Sequence, residues 1–218
     1  MKKLLLLLVM LLAACSQQAA DDPSPQPQPT PTEEQPSTEE PAETPETEID
    51  LHDYFMPNQS IASFLGDGNE YATYTLSTQH LYENYIGTLE DNGGTVMQRI
   101  YRVEENRIVK IFEQAEAYDA DFPALSELES MPELEIYLSL PFEVGHEFNG
   151  WTITDTNASL ETPYQNFSDV LVMEQEGSDG SILQKYFAQG FGEVKRVFKM
   201  PGGEGEQFEV TSTLESVE

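Results

Sequence analysis

The stretch Leu134-Glu135-Ile136-Tyr137-Leu138-Ser139-Leu140 places leucine or isoleucine at every second position. Successive side chains of a β-strand point to opposite faces, so this period indicates a strand with one buried face. Similar alternation occurs upstream in Val96–Val103 and Arg107–Phe112. Only three residues separate these two runs, a length suited to a hairpin loop. The region therefore predicts neighbouring antiparallel strands.

The same period continues on both sides of this region. Further strands are predicted around Ala72-Thr73-Tyr74-Thr75-Leu76, Trp151–Thr154, Val170–Glu174, Ser181–Ala188, Glu193–Lys199 and Phe208–Leu214. Nine to eleven strands joined by short Gly, Asn and Asp turns favour an antiparallel meander. The helical pattern is best over Asp121–Met131, before Pro132. We predict a mainly β fold: a curved sheet, open barrel or sandwich with at most one short helix.

The last predicted hairpin has a simple packing interpretation. Leu183 and Phe187 lie on one strand face with Lys185 between them, and Val194 and Phe198 follow on the returning strand. We interpret these apolar residues as core, and the hairpin as a packing element rather than a ligand contact.

The N-terminal segment has the pattern of an export signal. Lys2 and Lys3 precede the eleven apolar residues Leu4–Ala14. A bilayer span needs roughly 20 residues, so this run fits a signal peptide instead. Leu12-Ala13-Ala14-Cys15 resembles the lipobox of bacterial lipoproteins, which implies cleavage after residue 14 and lipid attachment at Cys15. Two acyl chains on Cys15 would suffice for stable anchoring on the outer face of the cytoplasmic membrane.

Residues 15–50 have the composition of a tether. They contain eight of the fourteen prolines, ten acidic residues and no Lys or Arg. Such a segment buries too little apolar surface to offset the entropy of ordering, so we predict a disordered, extended linker. The folded part is then a single β-rich extracytoplasmic domain over 51–218.

The charge balance excludes some partners. The chain has 40 acidic and 10 basic residues, a net charge of −30, and residues 51–218 hold 30 acidic and 8 basic ones. Nucleic acid is not expected as a partner, because its binding depends on Lys and Arg. Repulsion among the acids predicts stabilisation by salt and a raised average pKa of the carboxyl groups. The single cysteine excludes an internal disulfide.

No catalytic, cofactor or metal site is predicted. The three histidines, His52, His80 and His146, have no metal-ligand spacing, and the chain has no Gly-x-Ser-x-Gly motif. Asp67–Glu70 and Asp179-Gly180 offer oxygens in turns, but neither has the calcium-loop spacing. We interpret both as solvated turns. A glycosidase-type carboxylate pair remains open, because many acids are present.

Three blocks resemble a known group of proteins: Gly68–Ala72, Leu140–Gly145 and Tyr186–Lys195. Together with the lipobox, they are similar to uncharacterised surface lipoproteins of Gram-positive, Bacillus-like bacteria. The resemblance spans roughly residues 54–200. It implies a lipid-anchored, β-rich surface protein, and it implies no activity.

Three functions remain open from the sequence. The first is a binding or accessory domain of the cell envelope, contacting wall polymer, an envelope protein or a small ligand. The second is a carrier that holds a lipid or other apolar molecule in a concave sheet. The third is a carboxylate-dependent hydrolase. The first is preferred, because the chain has a tether and a scaffold but no catalytic motif.

Overall fold

The computed structural model describes residues 49–202 and 207–218, which form twelve β-strands, one short α-helix and one 3-10 helix. The 3-10 helix is Leu51–Tyr54 and the α-helix, α1, is Leu125–Leu128. The strands are β1 (Ser60–Asp67), β2 (Tyr74–Tyr82), β3 (Tyr85–Asp91), β4 (Val96–Val103), β5 (Arg107–Gln114), β6 (Glu135–Ser139), β7 (Glu147–Phe148), β8 (Trp151–Glu161), β9 (Asn166–Glu176), β10 (Ile182–Ala188), β11 (Gly192–Pro201) and β12 (Gln207–Val217). The predicted mainly β class is confirmed.

All twelve strands belong to one antiparallel sheet in the order β6-β5-β4-β3-β2-β1-β12-β11-β10-β9-β8-β7. Neighbours in sequence therefore pair everywhere except between β6 and β7, which form the two ends of the sheet. The first and last strands of the chain, β1 and β12, pair with each other and join the two halves of the sheet, with hydrogen bonds in both directions between Ile61 and Glu218. The result is a nearly closed barrel, and the open barrel among the predicted alternatives is confirmed.

Helix α1 is shorter than the helix predicted over Asp121–Met131. Pro123 explains the difference, because the residue before a proline is disfavoured in the helical region. Phe122 accordingly stays outside the helix, and Ala124 becomes the N-cap. The helix covers the outer face of β4 and β5, where Leu128 packs in one cluster with Ile100, Val109 and Ile111.

Two larger apolar clusters stabilise the rest of the barrel. One includes Phe55, Phe187 and Met173, and the other includes Phe64 and Leu214. Burial of one such side chain contributes on the order of 2 kcal/mol. The packing interpretation of the last hairpin is confirmed for Phe187 and Val194, both fully buried.

The 3-10 helix is held against the last hairpin. Gly190 N–H donates to the carbonyl oxygen of Asp53 at 2.7 Å. Gly192 has a φ of +72°, and a Cβ atom there would lie 2.6 Å from the carbonyl oxygen of Tyr54. Only glycine fits this close approach. The contact places Tyr54 and Phe55 at the barrel interior.

The signal peptide 1–14, the lipid site Cys15 and the tether up to residue 48 lie outside the described residues and stay predictions. Within 49–202 and 207–218, no helix is long and apolar enough to cross a membrane.

Candidate binding cavity

A cavity of about 310 Å³ lies inside the barrel, with walls from the 3-10 helix region and from most of the strands. This volume is at the lower end of the range for small-molecule sites. The lining is mainly polar and aromatic, with a smaller apolar part formed by Phe55, Met56, Leu76, Leu183 and Phe191. The polar and aromatic part includes Thr78, Thr88, Glu90, Arg99, Lys110, Glu113, Glu135, Asn149, Gln175, Lys185, Glu193, Arg196, Tyr54, Tyr74, Tyr101, Tyr137 and Trp151.

Eight charged side chains of this lining form one continuous chain of ion pairs across the interior. We call them the interior charge network: Glu135, Lys110, Glu113, Arg99, Glu90, Arg196, Glu193 and Lys185. Acidic and basic residues alternate without a break, so four negative charges balance four positive ones.

The inner half of the network is centred on Arg196. Its Nε lies 2.7 Å from Glu193 Oε1, and its Nη2 lies 3.3 Å from Glu90 Oε2. The second carboxylate oxygen of Glu193 lies 3.1 Å from Lys185 Nζ. The Glu193 side chain is only 6% exposed, so this carboxylate is buried between two cations.

The outer half leads towards solvent. Arg99 Nη1 lies 3.2 Å from Glu90 Oε2, and Arg99 Nε lies 2.8 Å from Glu113 Oε2. Lys110 Nζ then joins Glu113 and Glu135 at 2.9 Å each. The Glu135 side chain is 44% exposed, so the network runs from a solvent-exposed end near β6 to a buried end at β10 and β11.

Two β-bulges make this arrangement possible. Residues three apart on a regular strand point to opposite faces. On β5, Ile111 is the extra residue between Lys110, opposite Tyr101, and Phe112, opposite Ile100. A bulge of this kind shifts the alternation by one. Lys110 and Glu113 therefore both reach the cavity.

The second bulge does the same on β11. Val194 is the extra residue between Glu193, opposite Phe187, and Lys195, opposite Tyr186. Glu193 and Arg196 consequently face the same cavity and form an ion pair three residues apart.

The network fixes the charge of its carboxylates. Burial would raise the pKa of Glu193, but Arg196 and Lys185 outweigh it and lower the pKa to about 2. Burial would also raise the pKa of Glu90, but the charges of Arg196 and Arg99 outweigh it and lower the pKa. Both groups are therefore carboxylates at neutral pH. A general acid needs the opposite shift, so neither side chain is suited to that role.

The cations are also in contact with aromatic rings. Lys185 Nζ lies 4.9 Å from the ring centroid of Tyr137 and 5.4 Å from that of Trp151. The guanidinium carbon of Arg196 lies 5.3 Å from the ring centroid of Tyr74. Burial lowers the pKa of Lys185, and the Glu193 charge partly opposes this shift. These contacts hold both cations in defined positions within the cavity.

Several hydroxyl groups of the lining have no partner. Thr78 is 2% exposed, and its Oγ1 makes no hydrogen bond within the described residues. Burial also raises the pKa of Tyr74, Tyr101 and Tyr137, so all three hydroxyls are protonated donors at neutral pH. No hydrogen bond joins these phenol groups to the part of the chain described here. The Thr78 oxygen is itself inaccessible, whereas the three phenol groups can donate and accept hydrogen bonds, so this wall is suited to a polar ligand.

The histidines considered in the sequence are not brought together. His52 contacts Asp50 Oδ1 at 2.8 Å, and His80 lies 3.4 Å from the carbonyl oxygen of Met56. His146 packs beside Phe148 with its Nε2 buried. Among the described residues, no group of three His, Cys, Asp or Glu side chains is placed to hold a metal ion.

The two acidic turns bind their own backbone. Asn69 Oδ1 accepts from Tyr71 N–H at 2.8 Å, and Asp179 Oδ1 accepts from both Ser181 N–H and Ser181 Oγ. These contacts fit the interpretation of both segments as ordinary turns.

The cavity residues are not predictable from the strand pattern. Lys185 stands between the apolar residues Leu183 and Phe187, and Glu193 and Arg196 fall in the strand Glu193–Lys199, whose apolar residues indicate packing. The chain offers one signal: all eight basic residues of 51–218 lie within four strands, β4, β5, β10 and β11, and these strands supply the four cations of the cavity.

No family model matches the chain, and the search of curated proteins finds no match. One solved structure has a similar fold: a protein of Bacteroides fragilis, described as exported, with a YmcC-like fold. The TM-score is 0.47 and the sequence identity 11%, and the similarity covers 76% of this chain and 99% of that chain. At this identity and score, no ligand, location or activity is transferred from that protein.

Proposed function

We propose that the protein is a lipoprotein anchored through Cys15 to the outer face of the cytoplasmic membrane, and that its β-barrel is a binding domain of the cell envelope. The cavity carries this proposal. Its volume, its fixed charges and its unpartnered hydroxyls suit a small polar molecule that enters from outside the cell. A role without catalysis is part of the proposal, because the buried carboxylates with lowered pKa are held by arginine and lysine.

The lining argues against the carrier of an apolar ligand. An acyl chain would cover the tyrosine hydroxyls and the polar atoms that the ion pairs leave free, without offering hydrogen bonds in return. Burial of unpaired polar groups costs on the order of 1–3 kcal/mol each. A lipid carrier would need a mainly apolar wall, whereas the apolar residues Phe55, Met56, Leu76, Leu183 and Phe191 are a minority of this lining.

The hydrolase alternative has less support than the binding role. Paired carboxylates do occur, since Glu90 and Glu193 share Arg196. However, a hydrolytic pair needs one acid with a raised pKa, and both of these are lowered.

Native mass spectrometry of the full-length protein, released from its membrane under mild conditions, tests the proposal. A small polar molecule that is retained in the native state and lost on denaturation is the expected result. A bound lipid or fatty acid in its place would support the carrier. A protein with no bound molecule, after isolation from cells and after incubation with a cell-envelope extract, would contradict a binding role.

A further inference from the structure

We infer that the cavity takes a neutral polyhydroxylated molecule, that is, a saccharide of about monosaccharide size. This inference rests on the proposed binding function and names the ligand class. It follows from three properties of the cavity: its free donors and acceptors, its net charge, and the charge of the protein around it.

The free hydrogen-bonding groups include both donors and acceptors. Arg99 and Arg196 each use only two guanidinium nitrogens in the ion pairs, which leaves N–H groups at the cavity surface. Glu90 and Glu113 each use one carboxylate oxygen for their pairs, which leaves the other oxygen to accept. A ligand hydroxyl can donate and accept at the same site, whereas a carboxylate or phosphate oxygen can only accept.

The unpartnered hydroxyls extend this pattern on another wall. Tyr74 on β2 and Tyr101 on β4 are almost fully buried, and both line the cavity. Each can exchange hydrogen bonds with a ligand oxygen without any change of charge. Two of the polar contacts that a sugar ring requires are therefore supplied by groups with no other described partner.

The charge distribution disfavours ionic ligands. The interior charge network sums to zero, so the whole net charge of 51–218, which is −22, lies outside it. A surface of this sign repels approaching anions. A cation would be attracted to the surface, but inside it would find no net negative charge, because all four carboxylates are already paired with cations. A neutral ligand meets neither penalty.

The test uses the single tryptophan, Trp151, whose ring lines the cavity and reports on its contents. The full-length protein is titrated with glucose, gluconate and glucosamine, three similar skeletons that are neutral, anionic and cationic at neutral pH. Trp151 fluorescence should saturate with glucose at a concentration at least about tenfold lower than with either charged analogue, since a difference of 1.4 kcal/mol gives that factor.

Two conservative variants locate the site. Tyr101→Phe and Tyr74→Phe each remove one hydroxyl, and each should raise the half-saturating glucose concentration about threefold to tenfold, as expected for one hydrogen bond. Tyr82→Phe removes a hydroxyl from an exposed tyrosine outside the cavity and should change nothing. Melting temperatures of all three variants show whether each one folds.

Each other outcome overturns the inference in a different way. Tighter saturation by gluconate or by glucosamine means a charged ligand class, and it leaves the proposed polar binding site standing. A fluorescence response to none of the three, with folded variants, rejects the saccharide class; the native mass spectrometry experiment then decides separately whether the cavity binds anything. Sodium palmitate is titrated in the same way as a fourth ligand. A fluorescence response to palmitate alone contradicts the inference and the proposed function together.

Discussion

Replacing Glu193 by glutamine should destabilise the protein by about 3 kcal/mol. The side chain is buried between Lys185 Nζ at 3.1 Å and Arg196 Nε at 2.7 Å. Its pKa falls from the ordinary 4.5 to about 2, and at about 1.4 kcal/mol per pKa unit this corresponds to roughly 3 kcal/mol. Removing one member of a buried ion pair costs a similar amount, about 3–5 kcal/mol, because the other member stays buried and unpaired.

The effect should depend on pH with a defined sign. The pKa of Glu193 is lower in the folded state than in the unfolded one, so its contribution is fully present above about pH 4.5. That contribution is lost as the pH falls through the folded value of about 2. The difference in unfolding free energy between the wild type and Glu193→Gln should therefore be constant between pH 5 and 8 and should shrink below pH 4.5.

Urea unfolding of the full-length protein at 25 °C, followed by Trp151 fluorescence, measures both quantities. Glu215→Gln is the matched control, because Glu215 is exposed on β12, and its effect should stay within about 0.5 kcal/mol. Adding Lys185→Met to Glu193→Gln should recover part of the loss, since it removes the unpaired cation. If Glu193→Gln is as mild as the control, or if its effect is unchanged at pH 3, the reasoning about the buried pair is wrong.

Three further predictions concern other parts of the protein. Gly87→Ala should lower the unfolding free energy by about 1–3 kcal/mol, because the new Cβ would lie 2.3 Å from the Phe122 ring. The same urea titration checks this cause: Gly87→Ala should cost less when it is made in a Phe122→Ala background than in the wild type. Cys15→Ala should abolish metabolic labelling with a fatty-acid analogue and release the protein from the membrane fraction; normal labelling would contradict the lipid site. Molar sodium chloride should raise the melting temperature of the full-length protein, because the net charge of −22 lies outside the neutral cavity, and a level or lower melting temperature would mean that the acids are compensated locally.

The expectation of a raised average carboxyl pKa needs correction. Within residues 49–202 and 207–218, local contacts lower the pKa of six carboxyl groups: Asp50, Glu90, Glu104, Glu113, Asp179 and Glu193. Local partners explain this result: guanidinium or ammonium groups for the glutamates, and hydrogen bonds from neighbouring residues for the aspartates. Acidification towards pH 4 should therefore weaken these contacts, rather than stabilise the protein as the net charge alone suggests.

Strands could be predicted from the sequence where one face of the strand is apolar and buried and the other face is polar. The predictions for β4, β5 and β6 agree with the structure to within two residues at each end. Strand β1 was not predicted, because Ile61 and Leu65 on its exposed face are as apolar as Ala62 and Phe64 on its buried face. In β3, Gly87 interrupts the pattern; it is glycine because Phe122 packs against it.

The cavity could not be predicted from the sequence, and the reason is different. Strand alternation assigns Lys110 and Glu113 to opposite faces, and it does the same for Glu193 and Arg196. The bulges at Ile111 and Val194 reverse this assignment, and a single apolar residue gives no local signal that it is a bulge. The pairing of β1 with β12 could not be predicted either, since it joins strands at opposite ends of the domain sequence.

The location of the bases is itself evidence about function. A domain with 30 acidic and 8 basic residues would gain most from bases on its surface, where each one would relieve repulsion between carboxylates. Four of the eight instead lie in the interior charge network, paired with only four of the acids. Replacing a buried ion network by apolar residues of similar volume is often neutral or stabilising. Stability therefore does not require the network, whereas the polar-ligand site proposed above would require donors and acceptors in fixed positions.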